Sequence, residues 1–452
     1  MLESGTLRVL DPACGDGRFL GASEQRIAEL GGTSTLTGVD IDTEAVAAAS
    51  SALPRARVEH DDALTRVWDG REFDLVIGNP PFLSQMSALT TRGGASTRGG
   101  GPYADAAAEF LALSGELVKA EGGRVALVLP QTLLSTRDAE AVRRDFDERA
   151  EIIWSWWTGE RVFEAQVHTC AVAFEFGSSG RKQPGGRTAD GRKRSAFGTH
   201  GSWAFVVTSR TGVPELPGSI EAVPVGTLGD RALLNANFRD EYYGMVPAVG
   251  DHSSGPRLIT SGLIDPGRSL WGERPIKFAK QRFDRPRIDL TKLDQKMSRW
   301  AAKRLVPKVL VANQTRVIEA VCDPTGEWLP AVPVVAIYPH QEDAEHSAMA
   351  IAWEIAAVLT SPVSSAWVWH QSGGSGMSAS SIRLGPVVLA DLPWPSGDLE
   401  SAVAALRVGD VRKCGMATLD AYGVIDTDTR VELFNWWVAS LERIEARQPA
   451  VF

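Results

Sequence analysis

Along the first 180 positions, apolar residues fall into short runs separated by stretches with helical spacing. Candidate strands lie at 7–10, 35–39, 56–59 and 74–77, each bounded by Gly, Asp or Pro. Candidate helices lie at 19–30 and in the Ala-rich stretch 43–53. Beyond them come a helix at 105–119 closed by Gly122-Gly123, a strand at 124–130, a helix at 138–150, and strands at 152–156 and 169–176. Strand and helix in alternation predict an α/β domain, a mostly parallel sheet with helices on both faces. Two stretches break the pattern: 83–103 is Ser, Thr, Gly and Arg, and 178–201 is Gly, Lys and Arg. Neither contains enough apolar surface to form a packed core. The first reads as a mobile flap with Arg92 and Arg98 available for phosphates, or as a surface insertion. The second reads as a flexible basic linker over 179–201, between a first domain at 1–178 and a second at 202–452.

The chain has 452 residues, too many for one ordinary core, which agrees with two domains. It is 44% hydrophobic and 23% charged, and no run of about 18 apolar residues occurs, so a membrane partner is not expected. Cys14, Cys170, Cys322 and Cys414 are far apart and the seven histidines are scattered. This fits a reducing cytoplasm and predicts no metal site.

The candidate chemistry sits at strand ends. Strand 7–10 runs into Asp11-Pro12-Ala13-Cys14-Gly15-Asp16-Gly17 and then a helix, a loop suited to holding a ligand against backbone N–H groups. It is not the dinucleotide fingerprint, and an Asp at the strand end repels a pyrophosphate, so a cationic ligand fits better. The second strand ends in Asp40-Ile41-Asp42, where a carboxylate is placed for ribose hydroxyls. Asp61-Asp62-Ala63 follows the third strand. The fourth ends in Gly78-Asn79-Pro80-Pro81-Phe82, a stiff turn whose amide, fixed carbonyl and ring together suit a flat group bearing an NH2.

The Asp-Pro-Ala-Cys-Gly-x-Gly and Asn-Pro-Pro-Phe pair, in this order and about 65 residues apart, resembles the class I S-adenosylmethionine-dependent methyltransferases that act on the amino group of adenine in DNA. The resemblance implies S-adenosylmethionine as cofactor. Asp11, Pro12, Ala13, Cys14 and Gly15 would hold its methionine part, Asp40 and Ile41 its ribose side, and Asp62 and Ala63 its adenine, with Asn79 beside it. It also implies that Asn79 and the Pro80 carbonyl grip the target amine and that Phe82 stacks on the flipped base. Segment 162–169 resembles a later motif of the family, which makes Phe163 the candidate for the second face of the base, or else a core residue.

Net charge is −9, which alone speaks against nucleic acid, but basic residues are concentrated. From Arg274 to Lys308 there are twelve Lys or Arg and three Asp, 12 − 3 = +9. Phe278, Phe283 and Trp300 are interleaved with them, a pattern expected of a surface that tracks phosphates, or of a solvated helix face. Lys277, Lys280, Arg282, Arg285, Arg287, Lys303, Arg304 and Lys308 are the candidate contacts to duplex DNA. Segments 307–316, 331–338 and 380–393 resemble, more loosely, the target-recognition domains appended to such methyltransferases. A C-terminal α+β DNA-recognition domain is therefore expected, with the helices from 399 onward closing it.

The motif order matches the gamma arrangement, in which a segment ahead of the first strand closes over the cofactor. Here the first strand begins at Leu7, so the closing segment is expected to be missing, supplied by a partner subunit, or lost through a late assigned start. No nuclease domain precedes the motifs, which suggests a modification subunit or a stand-alone bacterial enzyme. Two alternatives stay open: methylation of RNA or of a glutamine side chain, or a non-catalytic DNA-binding subunit.

Overall fold

The computed structural model describes residues 5–70, 72–82, 98, 105–160, 167–177, 201–218, 220, 225–236, 239–340, 347–378 and 380–446. Phe163, the 83–103 segment apart from Arg98, and the 179–200 linker lie outside the described residues. The chain divides into two compact units, Met1–Arg210 with Gly373–Ala379, and Thr211–Ser372 with Ser380–Phe452.

The first unit is built on a seven-stranded sheet: β1 (Thr6–Asp11), β2 (Thr33–Asp40), β3 (Arg57–His60), β4 (Leu75–Gly78), β5 (Arg124–Pro130), β6 (Ala150–Trp157) and β7 (Thr169–Phe176). Their order across the sheet is β3-β2-β1-β4-β5-β7-β6. Strands β1 to β5 pair in parallel, and β7 runs antiparallel to both β5 and β6. The order reverses between β1 and β4, so the ends of those two strands flank the crevice where ligands sit in such sheets. Helices α1 (Arg18–Glu29), α2 (Thr43–Ala52), α3 (Ala106–Leu117) and α4 (Glu140–Arg149) connect the strands. Helix α2 starts where the Asp42 carboxylate accepts from the Glu44 N–H at 2.8 Å, a cap that leaves Asp40 free of that duty. Val9, Cys14, Leu20, Ile27 and Leu36 form the core between β1, β2 and α1.

The predicted strands and helices of this unit all appear, within a few residues of the expected ends. The unit also extends past the expected linker. The buried Arg143 donates to the carbonyls of Leu133, Thr136 and Gly201 at 2.7 to 2.8 Å, and Trp203 packs on Phe146 and Phe174. Burial pushes the Arg143 guanidinium down to about 10, and three carbonyl acceptors compensate for its lost hydration.

The second unit contains two four-stranded sheets and several helices, the C-terminal α+β part expected from the pattern. One sheet pairs Lys308–Ala312 with Ala320–Asp323 and Val334–Pro339, and Val334–Pro339 with Ala232–Ala236. The other joins Arg257–Ile259 to Arg287–Ile288 and Trp328–Pro330. Phe278, Trp300 and Leu310 share one buried cluster. Among the described residues no single helix is long and apolar enough to cross a membrane. One bent pair, Ala348–Leu359 and Pro362–Ser372, passes on length and composition, and the second helix is buried throughout.

Candidate active site

Four strand ends meet along the carboxyl edge of the first sheet. Asp11 closes β1, Asp40 closes β2, Asp62 follows β3, and Asn79 follows β4. The loop after β1 is drawn toward β2. The Cys14 N–H donates to the Val39 carbonyl at 3.0 Å, and the Gly15 N–H donates to Asp40 Oδ2 at 2.7 Å. Asp40 Oδ1 accepts from the Asp42 N–H at 3.0 Å. Two backbone donors thus fix the Asp40 carboxylate plane, and each oxygen keeps a lone pair for a ligand hydroxyl. Gly15 and Gly17 hold φ of 50° and 82°, the left-handed region that lets the loop turn into α1. Between Asp40 and Asp42, the Ile41 side chain is 68% exposed, an apolar surface at a polar edge. Asp62 Oδ1 accepts from the Leu64 N–H at 2.9 Å, and Ala63 is buried beside it.

Asp11 lies deeper. Its side chain is buried, Oδ1 accepts from the Ala13 N–H at 3.1 Å, and no cation pairs with it among the described residues. Burial, with Asp40 nearby, pushes its carboxyl up to about 7. A Cβ at Gly78 would stand 2.5 Å from Asp11 Oδ1. The glycine therefore lets the carboxylate lie against the backbone that carries Asn79. At Gly38 a Cβ would stand 2.9 Å from Cys14 Sγ, so the thiol packs into the space of a missing side chain. Burial and the neighbouring carboxylates of Asp11 and Asp40 push that thiol up to about 12, which keeps it protonated and inert.

Asn79 is half-buried, and its Oδ1 is a buried acceptor with no hydrogen-bond partner among the described residues. A buried acceptor without a partner costs about 1–3 kcal/mol, which a ligand N–H would recover. Pro80 is buried, Pro81 exposed and Phe82 half-buried. Sequence reasoning found each strand-end residue but passed over Gly78 and Gly38. Glycine at the end of one strand, and one residue pair before the end of another, is the signal for close backbone approach. Arg98 is not a free phosphate ligand: its guanidinium donates to Glu116 and to the Leu64 carbonyl, and it is largely covered.

In the second unit the basic band separates into parts. Lys277 and Arg282 stand opposite each other on the hairpin Ile276–Phe278 and Gln281–Phe283, with Lys280 at its turn, all three exposed. Arg285 is exposed and Arg287 half-buried, both over the Trp271 ring. Lys303 is exposed, and the Arg304 guanidinium lies 4.6 Å from the centroid of Trp300. Lys308 departs from expectation. It is fully buried and ion-paired with Asp323, so it cannot reach DNA. The aromatics depart too: Phe278 and Trp300 belong to the core and Phe283 packs against it, so none is offered to a base.

Residues 9–91 match a family model described as a methyltransferase domain. Solved structures with local likeness include a Listeria monocytogenes protein described as a class I S-adenosylmethionine-dependent methyltransferase (19% identity, TM-score 0.34, 41% of this chain and 58% of that one). Another is described as the modification subunit of a type I restriction enzyme of Vibrio vulnificus (20%, 0.33, 42% and 46%). A third is the type I restriction-modification methyltransferase subunit of Streptococcus thermophilus (20%, 0.33, 38% and 40%). The chain thus spans less than two thirds of the length of each. The residues at this sheet edge fit S-adenosylmethionine, the methyl donor that a methyltransferase domain implies. Asp11, a buried carboxyl with no cation beside it among the described residues, could face a sulfonium, and Asp40 and the exposed Ile41 could line the ribose side. Strand order and matched region together give the first unit a class I methyltransferase fold.

Proposed function

We propose that this chain methylates the exocyclic amino group of an adenine flipped out of duplex DNA, as a bacterial modification or host-defence enzyme of the cytoplasm. The observation that carries this reading is Asn79 Oδ1, a buried acceptor without a partner among the described residues, next to a stiff Pro-Pro turn and a half-buried Phe ring. The amino nitrogen of adenine is a poor nucleophile because its lone pair is delocalised into the ring. Accepting one N–H at Asn79 Oδ1 and the other at the Pro80 carbonyl favours a pyramidal nitrogen with a localised lone pair. When bound, S-adenosylmethionine would supply an electrophilic methyl on a sulfonium and leave as the neutral thioether, and the methylated amine, made acidic by its positive charge, would lose one proton to solvent. What remains for the protein is alignment and fixed dipoles, which the rigid turn supplies without a strong base. Cys14, held protonated, takes no part.

The amino group is out of reach inside a duplex, so the base leaves the stack and Phe82 covers one face. The exposed cations of the second unit, Lys277, Lys280, Arg282, Arg285 and Lys303, support duplex DNA as the substrate. The test is methyl transfer from labelled S-adenosylmethionine to duplex DNA, RNA and protein offered in parallel, with the modified nucleoside identified. Label in N6-methyladenine of DNA is the expected result. Label confined to RNA or to glutamine would overturn the reading, and no cofactor binding by calorimetry would leave only a DNA-binding role.

A further inference from the structure

The second unit has a cleft of about 430 Å³ whose lining includes Gly255, Arg257, Arg287, Gly326 and Glu327. Arg257 and Arg287 are directly opposed across the antiparallel pair formed by Arg257–Ile259 and Arg287–Ile288. Like charges in that position repel, and nothing on the strands themselves offsets it. Among the described residues neither guanidinium has a carboxylate within ion-pair distance; Arg287 Nη1 donates to the Gly255 carbonyl in the cleft wall, which leaves its Nη2 and Nε edge, with the Arg257 guanidinium, for an anion.

The pair is nonetheless held in place. Both guanidiniums lie 4.7 Å from the centroid of Trp271, and Arg285 adds a third at 5.6 Å. The indole is fixed in turn, since its Nε1–H donates to the Pro286 carbonyl at 2.8 Å. Gly272, at φ 82°, leaves room for Arg285, because a Cβ there would stand 3.2 Å from Arg285 Nε. Asp251 uses both carboxylate oxygens on the N–H groups of Asp284 and Arg285, at 3.0 and 2.8 Å. Three planar cations around one ring, two of them facing a cleft with glycine in its walls, form a preorganised anion clamp. Arginine forks match phosphate oxygens in pairs.

We propose that this cleft is a phosphate-binding site, in which Arg257 and Arg287 grip one backbone phosphate of the bound duplex while Trp271 holds them in register. The assignment of the phosphate to DNA rests on the function proposed above, whereas the clamp itself does not. A contact of this kind sets where the second unit sits on the duplex and carries no sequence information.

The test compares the full chain with the Arg257→Gln/Arg287→Gln double variant in duplex binding across a salt series. The double variant is expected to bind at least about tenfold more weakly at moderate salt, with a salt slope lower by about 1 and unchanged sequence preference. Arg257→Lys/Arg287→Lys, which keeps charge and loses the fork, is expected to restore the slope without the full affinity. Unfolding curves of all three proteins show whether the cleft still folds. Duplex binding with the slope and affinity unchanged in the Gln variant overturns the clamp and leaves the DNA reading standing. If the parent protein binds no duplex, inorganic phosphate is titrated and followed by its 31P line width. Broadening lost in the Gln variant supports the clamp with a free phosphate ligand and sinks the DNA reading. No broadening overturns both.

Discussion

Two buried carboxylates in this protein are set up in opposite ways. Asp323 in the second unit is completely satisfied. It pairs with Lys308 and accepts from the N–H groups of Gly326, Glu327 and Trp328 at 3.0 to 3.1 Å. Asp11 in the first unit has one backbone donor, no cation among the described residues, and a carboxyl pushed up to about 7 by burial. A buried charge with every partner present serves the fold. One left short of partners is costly unless a ligand supplies them, and such groups collect at functional sites. The contrast sets a charge matched by the fold apart from one that the proposed function would match with a ligand, although both are hidden from water.

The sharpest way to break this contrast is to remove the partner from the satisfied carboxylate. Lys308→Ala leaves Asp323 charged and buried, and is expected to lower stability by about 3–5 kcal/mol. Chemical denaturation measures this, and an effect near zero would mean that the pair is not the structural element described. Next in size, Asn79→Ala is expected to reduce methyl transfer by about 10²–10³-fold, as for loss of one preorganised polar group, while cofactor affinity stays within a few-fold. Single-turnover transfer and calorimetry measure the two separately, and equal losses in both would place Asn79 in the cofactor site alone.

Asp11 makes a pH prediction. Because its folded pKa is raised, the native state holds the proton more tightly than the unfolded chain. Its contribution to stability is full below pH 4 and is lost as pH rises through about 7. Cofactor affinity runs the other way: the ionised carboxylate attracts a sulfonium, so affinity rises about tenfold between pH 6 and 8. Asp11→Asn is expected to flatten both curves, and a calorimetric series with the same slope in parent and variant would remove Asp11 from cofactor binding. The smallest effect expected is on the hairpin, where Lys277→Glu weakens duplex binding and lowers its salt slope by about 1–2. An unchanged slope would move the DNA surface elsewhere.

The first unit was legible because its information is local. Each strand of this sheet is a short run beside its own turn, so Asp11, Asp40, Asp62 and Asn79 could be assigned to strand ends without knowing how the strands pair. The reversed run of β7 between β5 and β6 was not legible, because it depends on contacts between distant segments. Reading the basic band failed at Lys308 for a related reason. Charge counting treats every Lys as exposed, whereas Lys308 opens an apolar strand whose antiparallel neighbour ends in Asp323, directly opposite in register. Opposite charges at the matching ends of two apolar runs were the available signal. The aromatics Phe278 and Trp300 misled similarly, since spacing along the chain does not tell which face of the hairpin or helix is covered.

Gly78 separates Asp11 from the chain carrying Asn79 by no more than a hydrogen atom. The Asp11 carboxylate and the residue before Asn79 are therefore in direct contact, with no side chain between them. If a ligand at Asp11 shifted that carboxylate, it would push on the backbone before Asn79, and a base seated at Asn79 would change the hold on that ligand by the same factor. Under the proposed function, the affinities for cofactor and base would be coupled through a side chain that is absent.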